Sequence, residues 1–273
     1  MKVEATMFDL TTFPTVFDSH VHIPGEDGRI LQWAPATRDT DQMVAYLDRL
    51  GIAGAILMPA LTGKARSHDD LAKGHREVAR MMDKYPGRFT GGVVVDPRWP
   101  DEALAEMNYC RRELNFACLG ECAAYMGGYK YDSPGFEAMI REAIKLDMFI
   151  NIHCSPQEMD GFAGKFPQAT FVYPHFPDMN GLGPLMGMLT RRSNVYFDIC
   201  GSQYVRMGLV EMVVRAIGAG RVMFGSDYTI CDPSTVMARV AYADISEDDK
   251  AQIFSRTALK LLEDRGVQFP FSP

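Results

Sequence analysis

The chain has 273 residues, of which 47% are hydrophobic and 23% are charged, and its formal net charge is -7 at pH 7. This length allows one α/β barrel or two small domains, and the hydrophobic content excludes a disordered chain. The negative net charge argues against nucleic acid as the main partner, because a phosphate backbone attracts basic surfaces. No apolar run approaches the roughly 18 residues of a membrane span.

Short apolar runs predict eight strands, at residues 17–22, 52–58, 89–95, 116–121, 148–153, 170–175, 195–199 and 221–227. Apolar residues at helical spacing predict helices at residues 40–50, 71–85, 101–114, 136–146, 203–217 and 246–262. In the last helix, Ser246 and Asp249 fit a capping box. This alternation indicates a parallel α/β architecture, and no breaker-rich linker divides the chain. We therefore predict a single domain over residues 1–273.

Ligand-type side chains recur where the predicted strands end. Side chains alternate along a strand, so His20 and His22 project from the same face of the first one. Later strands end on one further group each, namely Glu121, His153, His175 and Asp227. An open sheet would spread these ends along a line, whereas a closed barrel gathers them at one mouth. The sequence therefore favours a (β/α)8 TIM barrel over a doubly wound sheet.

Imidazoles and carboxylates buried together need a cation or hydrogen bonds to compensate for lost hydration. These donor types suit zinc, manganese or iron. Other interpretations remain open at single positions. One histidine of the first strand could pack while the other meets water, Glu121 could pair with a Lys or Arg, and His175 could bond to backbone. His68 and His75 have charged neighbours on or before a predicted helix, so we expect both to be solvated.

The combined pattern resembles the amidohydrolase superfamily, and most closely its amidohydrolase-related family of metal-dependent hydrolases and non-oxidative decarboxylases. The resemblance rests on residues 17–22, 152–153, 175 and 224–228, with support from residues 85–89, 95–97 and 245–262. It covers nearly the whole chain. Thr229 replaces a proline often seen after the last strand, and Thr257 stands where the family commonly has Asn before Ala. Neither departure touches a predicted ligand.

The resemblance implies that His20, His22 and Asp227 hold one metal ion. His153 would either complete that site or hold a second ion together with His175. Glu121 stands where some branches place a bridging carboxylate, including the branch of metal-dependent deoxyribonucleases, whereas the decarboxylase branch usually lacks this acid. We expect one or two divalent ions, zinc first, with manganese or iron as alternatives.

The implied activity is hydrolysis of a small carbonyl-containing substrate such as a lactone, ester or amide. A metal would lower the pKa of bound water to about 7, and Asp227 would act as general base and then acid. His175 or a metal would polarise the substrate carbonyl. One alternative is a metal-dependent decarboxylase of an aromatic or unsaturated carboxylic acid, in which Asp227 delivers a proton to carbon. Another is a barrel that binds a metal or ligand without turnover.

Aromatic residues of the predicted mouth loops are candidates for substrate binding, although they could equally cover the rim: Trp33, Tyr125, Tyr129 and Tyr131. Arg206 follows strand seven and could bind a substrate carboxylate or pair with Glu211. We expect a small-molecule substrate, no nucleic-acid partner and no membrane, and a homo-oligomer stays open. The six cysteines form no C-x-x-C pair, which favours a reduced, cytoplasmic protein.

Overall fold

A computed structural model describes residues 14–24, 39–59, 67–201 and 206–271. Eight strands form one sheet: β1 Val16–His22, β2 Ile52–Met58, β3 Phe89–Val93, β4 Cys118–Cys122, β5 Phe149–Ile152, β6 Phe171–Pro174, β7 Val195–Asp198 and β8 Val222–Met223. Each strand pairs in parallel with the next, in the order in which they occur along the chain.

The segment after β8 returns to β1 and closes the barrel. The backbone N–H of Ser19 donates to the carbonyl of Phe224 at 2.9 Å, and Val21 forms a parallel bridge with Tyr228. The N–H of Asp227 donates to the carbonyl of His20 at 2.9 Å. Ring closure confirms the predicted (β/α)8 barrel and brings the first and last groups of the predicted site together.

Helices surround the barrel: α1 Thr40–Arg49, α2 His68–Lys84, α3 Pro100–Glu113, α4 Ala124–Gly127, α5 Pro134–Lys145, α6 Pro156–Lys165, α7 Met179–Arg191, α8 Leu209–Ile217, α9 Pro233–Ala241, α10 Glu247–Ala251 and α11 Thr257–Glu263. A π-helical stretch, Gln252–Arg256, joins α10 to α11. None of the helices in the described ranges is long and apolar enough to cross a bilayer. All six cysteines are free thiols.

The sequence located α1, α2, α3, α5 and α8 approximately and missed α4, α6, α7 and α9. Helix α7 contains Pro184 and several glycines, which weaken a helical signal, but it buries Leu185, Met188 and Leu189 against the barrel. The predicted single helix at 246–262 is interrupted by the π-helical stretch. Ser246 caps its start by accepting from the N–H of Asp249, while Asp249 bonds to the Ser246 hydroxyl rather than to its backbone N–H.

Most of the buried apolar side chains in the described ranges belong to two clusters along the barrel wall. The larger one lies between strands and surrounding helices and contains, for example, Leu47, Phe136 and Leu189. In the smaller one, Leu261 and Leu262 of α11 pack against residues at strand starts such as Phe149. Strands that begin on this apolar base and end on polar residues hold those polar groups at the opposite, carboxyl end, where barrels bind their ligands.

Candidate metal centre

The six predicted ligands converge at the carboxyl ends of the strands. His20 and His22 belong to β1 and Glu121 to β4. The other three lie just beyond their strands: His153 after β5, His175 after β6 and Asp227 after β8. Five of the six are buried, with at most 7% of their surface exposed, and His153 is half-buried.

His20, His22 and Asp227 form the first donor group. The Nε2 atoms of His20 and His22 lie 3.1 Å apart, and His22 Nε2 lies 3.3 Å from Asp227 Oδ1. Two ligands that each sit about 2.1 Å from a tetrahedral ion are about 3.4 Å apart, so these separations fit a shared ion. Two ring nitrogens and a carboxylate oxygen are a suitable donor set for a divalent transition metal.

Glu121, His153 and His175 form the second donor group. Glu121 Oε1 lies 3.0 Å from His153 Nδ1 and 3.2 Å from His175 Nε2. Its other oxygen, Oε2, faces the first group, 3.6 Å from His22 Nε2 and 3.8 Å from His20 Nε2. Among the described residues the ion-pair partners of Glu121 are imidazoles rather than a Lys or Arg. The carboxylate instead stands between the two groups.

The charges of the cluster shift the pKa values of its members in opposite directions. Burial alone would raise the pKa of Glu121, but hydrogen bonds from His153 and His175 hold it well below its usual value. Burial opposes a proton on His175, but Cys200 and the bond to Glu121 outweigh it and raise that pKa well above its usual value. The pKa of Asp227 is lowered, because its bond to His22 and nearby imidazoles outweigh the effect of burial. The metal-free site is therefore a buried set of opposite charges.

His175 and Asp227 both have left-handed backbone conformations, with φ of 67° and 63°. Such values are uncommon for residues other than glycine and are found preferentially at functional sites. Both residues lie where the chain leaves a strand and turns across the mouth of the barrel. This backbone geometry directs the two side chains into the cluster rather than along the strands.

The structure adds three buried residues that the sequence interpretation missed: Asp18, Asp198 and Cys200. Asp18 accepts from the backbone N–H groups of His20 and Ser226 and so ties the first strand to the last, while burial raises its pKa to about 7. Asp198 Oδ2 lies 2.9 Å from His20 Nδ1. A signal was present, because Asp198 is a carboxylate close to the end of the seventh apolar run, as Glu121 is at the end of the fourth.

A cavity of about 1270 Å³ adjoins the second donor group and is lined by His153 and His175. Tyr125 lies on its wall with two thirds of its surface exposed, and its ring stands edge-on to that of His153, with ring centroids 5.0 Å apart. Tyr129 also lines the cavity and stacks on Phe136. These tyrosines are therefore placed to contact a ligand that reaches the cluster.

The other predicted mouth residues differ in their settings. The Tyr131 hydroxyl lies 2.8 Å from the carbonyl of Cys122 and 2.7 Å from that of His153, so it links the ends of β4 and β5. Arg206 is exposed, and its role in substrate binding stays a prediction. Trp33 lies outside the described residues.

The expectation that His75 is solvated is wrong. His75 is fully buried between α2 and α3, where its Nδ1 lies 2.9 Å from Glu106 Oε1. Its Nε2 accepts from the backbone N–H of Val94 at 2.9 Å. Both ring nitrogens therefore have partners, and the residue stabilises the outer layer of the barrel. His68 is half-buried, 3.7 Å from the other Glu106 oxygen.

Comparisons with known proteins agree with this architecture. A family model described as amidohydrolase matches residues 17–263. A dihydroxybenzoic acid decarboxylase from Polaromonas sp. JS666, solved with manganese and 2-nitroresorcinol, has a TM-score of 0.74 at 17% identity, covering 92% of this chain and 97% of that one. At such an identity the likeness shows the fold.

Two further solved structures share the fold. A 5-carboxyvanillate decarboxylase from Novosphingobium aromaticivorans, with manganese and 4-hydroxy-3-methoxy-5-nitrobenzoic acid, has a TM-score of 0.71 at 17% identity, covering 93% of this chain and 97% of that one. A probable 2-pyrone-4,6-dicarboxylic acid hydrolase from Acinetobacter baumannii, with citric acid, has a TM-score of 0.67 at 11% identity, covering 91% and 99%.

Proposed function

The chain belongs to the amidohydrolase family, and we propose that within it this protein is a metal-dependent, non-oxidative decarboxylase of an aromatic carboxylic acid. The observation that carries the proposal is the cavity whose wall combines His153 and His175 with Tyr125 and Tyr129. Solved proteins of the same fold include decarboxylases of 2,6-dihydroxybenzoate and of 5-carboxyvanillate, which supports this choice over the hydrolysis expected first from the sequence.

His20, His22 and Asp227 would hold the divalent ion. A divalent ion at this position supplies positive charge for anionic oxygens of the substrate. Manganese joins zinc as a candidate, because the decarboxylase structures from Polaromonas and Novosphingobium contain it. Asp227, with its lowered pKa, keeps the negative charge that a ligand needs.

Decarboxylation also requires a proton at the carbon that loses CO2. The carbon–carbon bond breaks, CO2 leaves, and the proton forms the new carbon–hydrogen bond. The raised pKa of His175 favours a protonated ring, and this ring lines the cavity. We therefore assign the proton donor to His175 rather than to Asp227. The carboxylate of Glu121, 3.2 Å from His175 Nε2, stabilises the charge of the protonated ring until the Nε2 proton passes to carbon.

The aromatic wall would hold the ring of the substrate. Tyr125 presents an exposed ring beside His153, and an aromatic substrate could stack on it or meet it edge-on. The cavity of about 1270 Å³ accommodates a substituted benzene ring. Tyr131 would act indirectly, because its hydroxyl fixes the two strand ends that carry Glu121 and His153.

The position of Glu121 favours a second candidate function, hydrolysis with two bound ions. Each of its oxygens faces a different donor group, as a bridging carboxylate would. In that case His153 and His175 would be ligands of a second ion, and Asp227 would take a proton from the attacking water. A probable hydrolase of 2-pyrone-4,6-dicarboxylic acid has the same fold.

One experiment separates the two candidates. The protein is loaded with manganese or zinc, its metal content is measured by elemental analysis, and it is incubated with 2,6-dihydroxybenzoate, 5-carboxyvanillate and 2-pyrone-4,6-dicarboxylate. Decarboxylation predicts CO2 release from an aromatic acid and activity with one ion per chain. Hydrolysis of the pyrone ring without CO2 release from any aromatic acid, together with two ions per chain, would replace the proposal with the second candidate.

Two variants sharpen the assignment. His175→Gln should abolish CO2 release while the ion stays bound, because the first donor group is intact. His68→Gln makes the same change at a half-buried histidine outside the cluster and should leave the rate unchanged. An unaltered rate in the first variant would exclude His175 as the proton donor.

A further inference from the structure

We infer that Asp198 and Cys200, at the end of β7, are positioning residues that hold His20 and His175 with their Nε2 atoms toward the donor cluster. The inference rests on the proposed metal site and adds the groups that orient two of its histidines. Asp198 and Cys200 contact these rings at Nδ1, whereas the donor cluster lies on the Nε2 side. Neither residue is assigned a role in binding the ion.

Asp198 is the nearest partner of the inner nitrogen of His20. Its Oδ2 lies 2.9 Å from His20 Nδ1, and both side chains are fully buried. The other oxygen, Oδ1, accepts from the backbone N–H of Cys200 at 3.0 Å, which fixes the plane of the carboxylate. A neutral imidazole carries one proton, so a proton held on Nδ1 by Asp198 leaves the lone pair of Nε2 free for a metal.

Cys200 stands in the same relation to His175. Its Sγ atom lies 3.2 Å from His175 Nδ1, on the side of the ring opposite to Glu121, and 3.4 Å from His20 Nδ1. The thiol is almost fully buried, so water does not compete for this nitrogen. His175 either donates a proton from Nε2 or binds an ion through it. In both cases Nδ1 carries a proton, and the Nδ1–H donates a hydrogen bond to the sulfur of Cys200.

Two glycines leave the space that this arrangement needs. A Cβ atom added at Gly225 would overlap the carboxylate of Asp198, and one added at Gly201 would overlap Nδ1 of His175. Gly201 also has a φ of 86°, which side chains rarely adopt. The turns after β7 and β8 are therefore shaped around the contacts between these side chains.

The orientation of the rings should matter for metal affinity. Without an acceptor on Nδ1, the tautomer with its proton on Nε2 gains population, and that tautomer offers no lone pair to the ion. Loss of such an outer partner typically weakens metal binding by about 10- to 100-fold. Asp198→Asn should have this effect, because an amide cannot accept from both His20 and the Cys200 N–H.

The test uses histidine ring signals of the zinc-loaded protein labelled with 15N-histidine. The chain has six histidines, and His→Gln variants assign their signals. In the wild type, Nδ1 should be protonated in both His20 and His175. An unprotonated Nδ1 in either ring would overturn the inference, and this measurement needs no variant that might fail to fold.

Variants then separate the two positions. Asp198→Asn should alter the His20 signals and lower zinc affinity about 10- to 100-fold in competition with a chelator. Cys200→Ala should alter the His175 signals, and Cys200→Ser should restore them, because a hydroxyl also accepts. Cys110→Ala removes a fully buried thiol of α3, whose partner is Glu106, and should change neither the zinc affinity nor the His20 and His175 signals.

The outcomes distinguish this inference from the proposal on which it rests. Wild-type protein that binds no zinc would refute the metal site and the inference together. Wild-type protein that binds zinc, with Asp198→Asn binding equally well and both rings unaltered in the variants, would refute the inference alone.

Discussion

Replacing Glu121 by Gln should destabilise the metal-free protein, because this carboxylate stands at the centre of a buried set of imidazoles. It is 2% exposed and lies 3.0 Å from His153 and 3.2 Å from His175. The raised pKa of His175 and the lowered pKa of Glu121 both indicate an ionic contact when no metal is bound. The substitution keeps the size of the side chain and removes its charge.

The expected loss follows from the geometry. At an effective dielectric constant of about 20, opposite unit charges about 3.2 Å apart attract by about 5 kcal/mol. Desolvation cancels part of this gain, and removing one partner of a buried pair costs about 3–5 kcal/mol. The amide of Gln still accepts one hydrogen bond. We therefore expect the free energy of unfolding to fall by about 3 kcal/mol, which corresponds to a decrease of roughly 6–12 °C in Tm for a chain of this size.

The assay is thermal and urea unfolding at pH 7 after treatment with a chelator. Glu247→Gln serves as the control, because that exposed side chain pairs only with the neighbouring Lys250 in the described chain and should change stability little. A variant at position 121 that is as stable as the wild type, or more stable, would show that the metal-free cluster is not held by its charges.

Three further predictions concern the cluster and its supports. Metal binding should release protons and strengthen as pH rises, because the pKa values of His20, His22 and His175 are raised and an ion must displace their protons. Calorimetry in two buffers of different ionisation enthalpy measures this release, and finding none would contradict the prediction. His75→Ala should lower the free energy of unfolding by about 4 kcal/mol, because Glu106 and a backbone N–H lose their partner; urea unfolding measures it, with His68→Ala as control. Tyr131→Phe should lower the free energy of unfolding by about 1–2 kcal/mol and reduce turnover, because the end of β5 that carries His153 loses a hydrogen bond. An unchanged free energy of unfolding and an unchanged kcat would refute that role.

The sequence alone determined the architecture and most of the candidate ligands. Eight apolar runs with polar ends are typical of strands that begin in a core and end at a mouth, and all six predicted ligands meet there. The family followed from the same residues. Helices α6 and α9 do carry local start signals, because each has a proline in its first turn and Ser155 and Glu158 form a capping box in α6. Helix α7 lacks such a signal: it contains Pro184 and several glycines, and packing against the barrel stabilises it.

Tertiary structure decided which polar residues are hydrogen-bonded to each other. His20 and Asp198 are 178 positions apart, and only closure of the sheet places the carboxylate against the ring nitrogen. The burial of His75 likewise depends on a backbone N–H of another element, which no local pattern reveals. Periodicity along a chain tells which face a side chain occupies, whereas a hydrogen bond or a shared ion depends on distances of about 3 Å between remote segments. Those distances exist only once the barrel has closed.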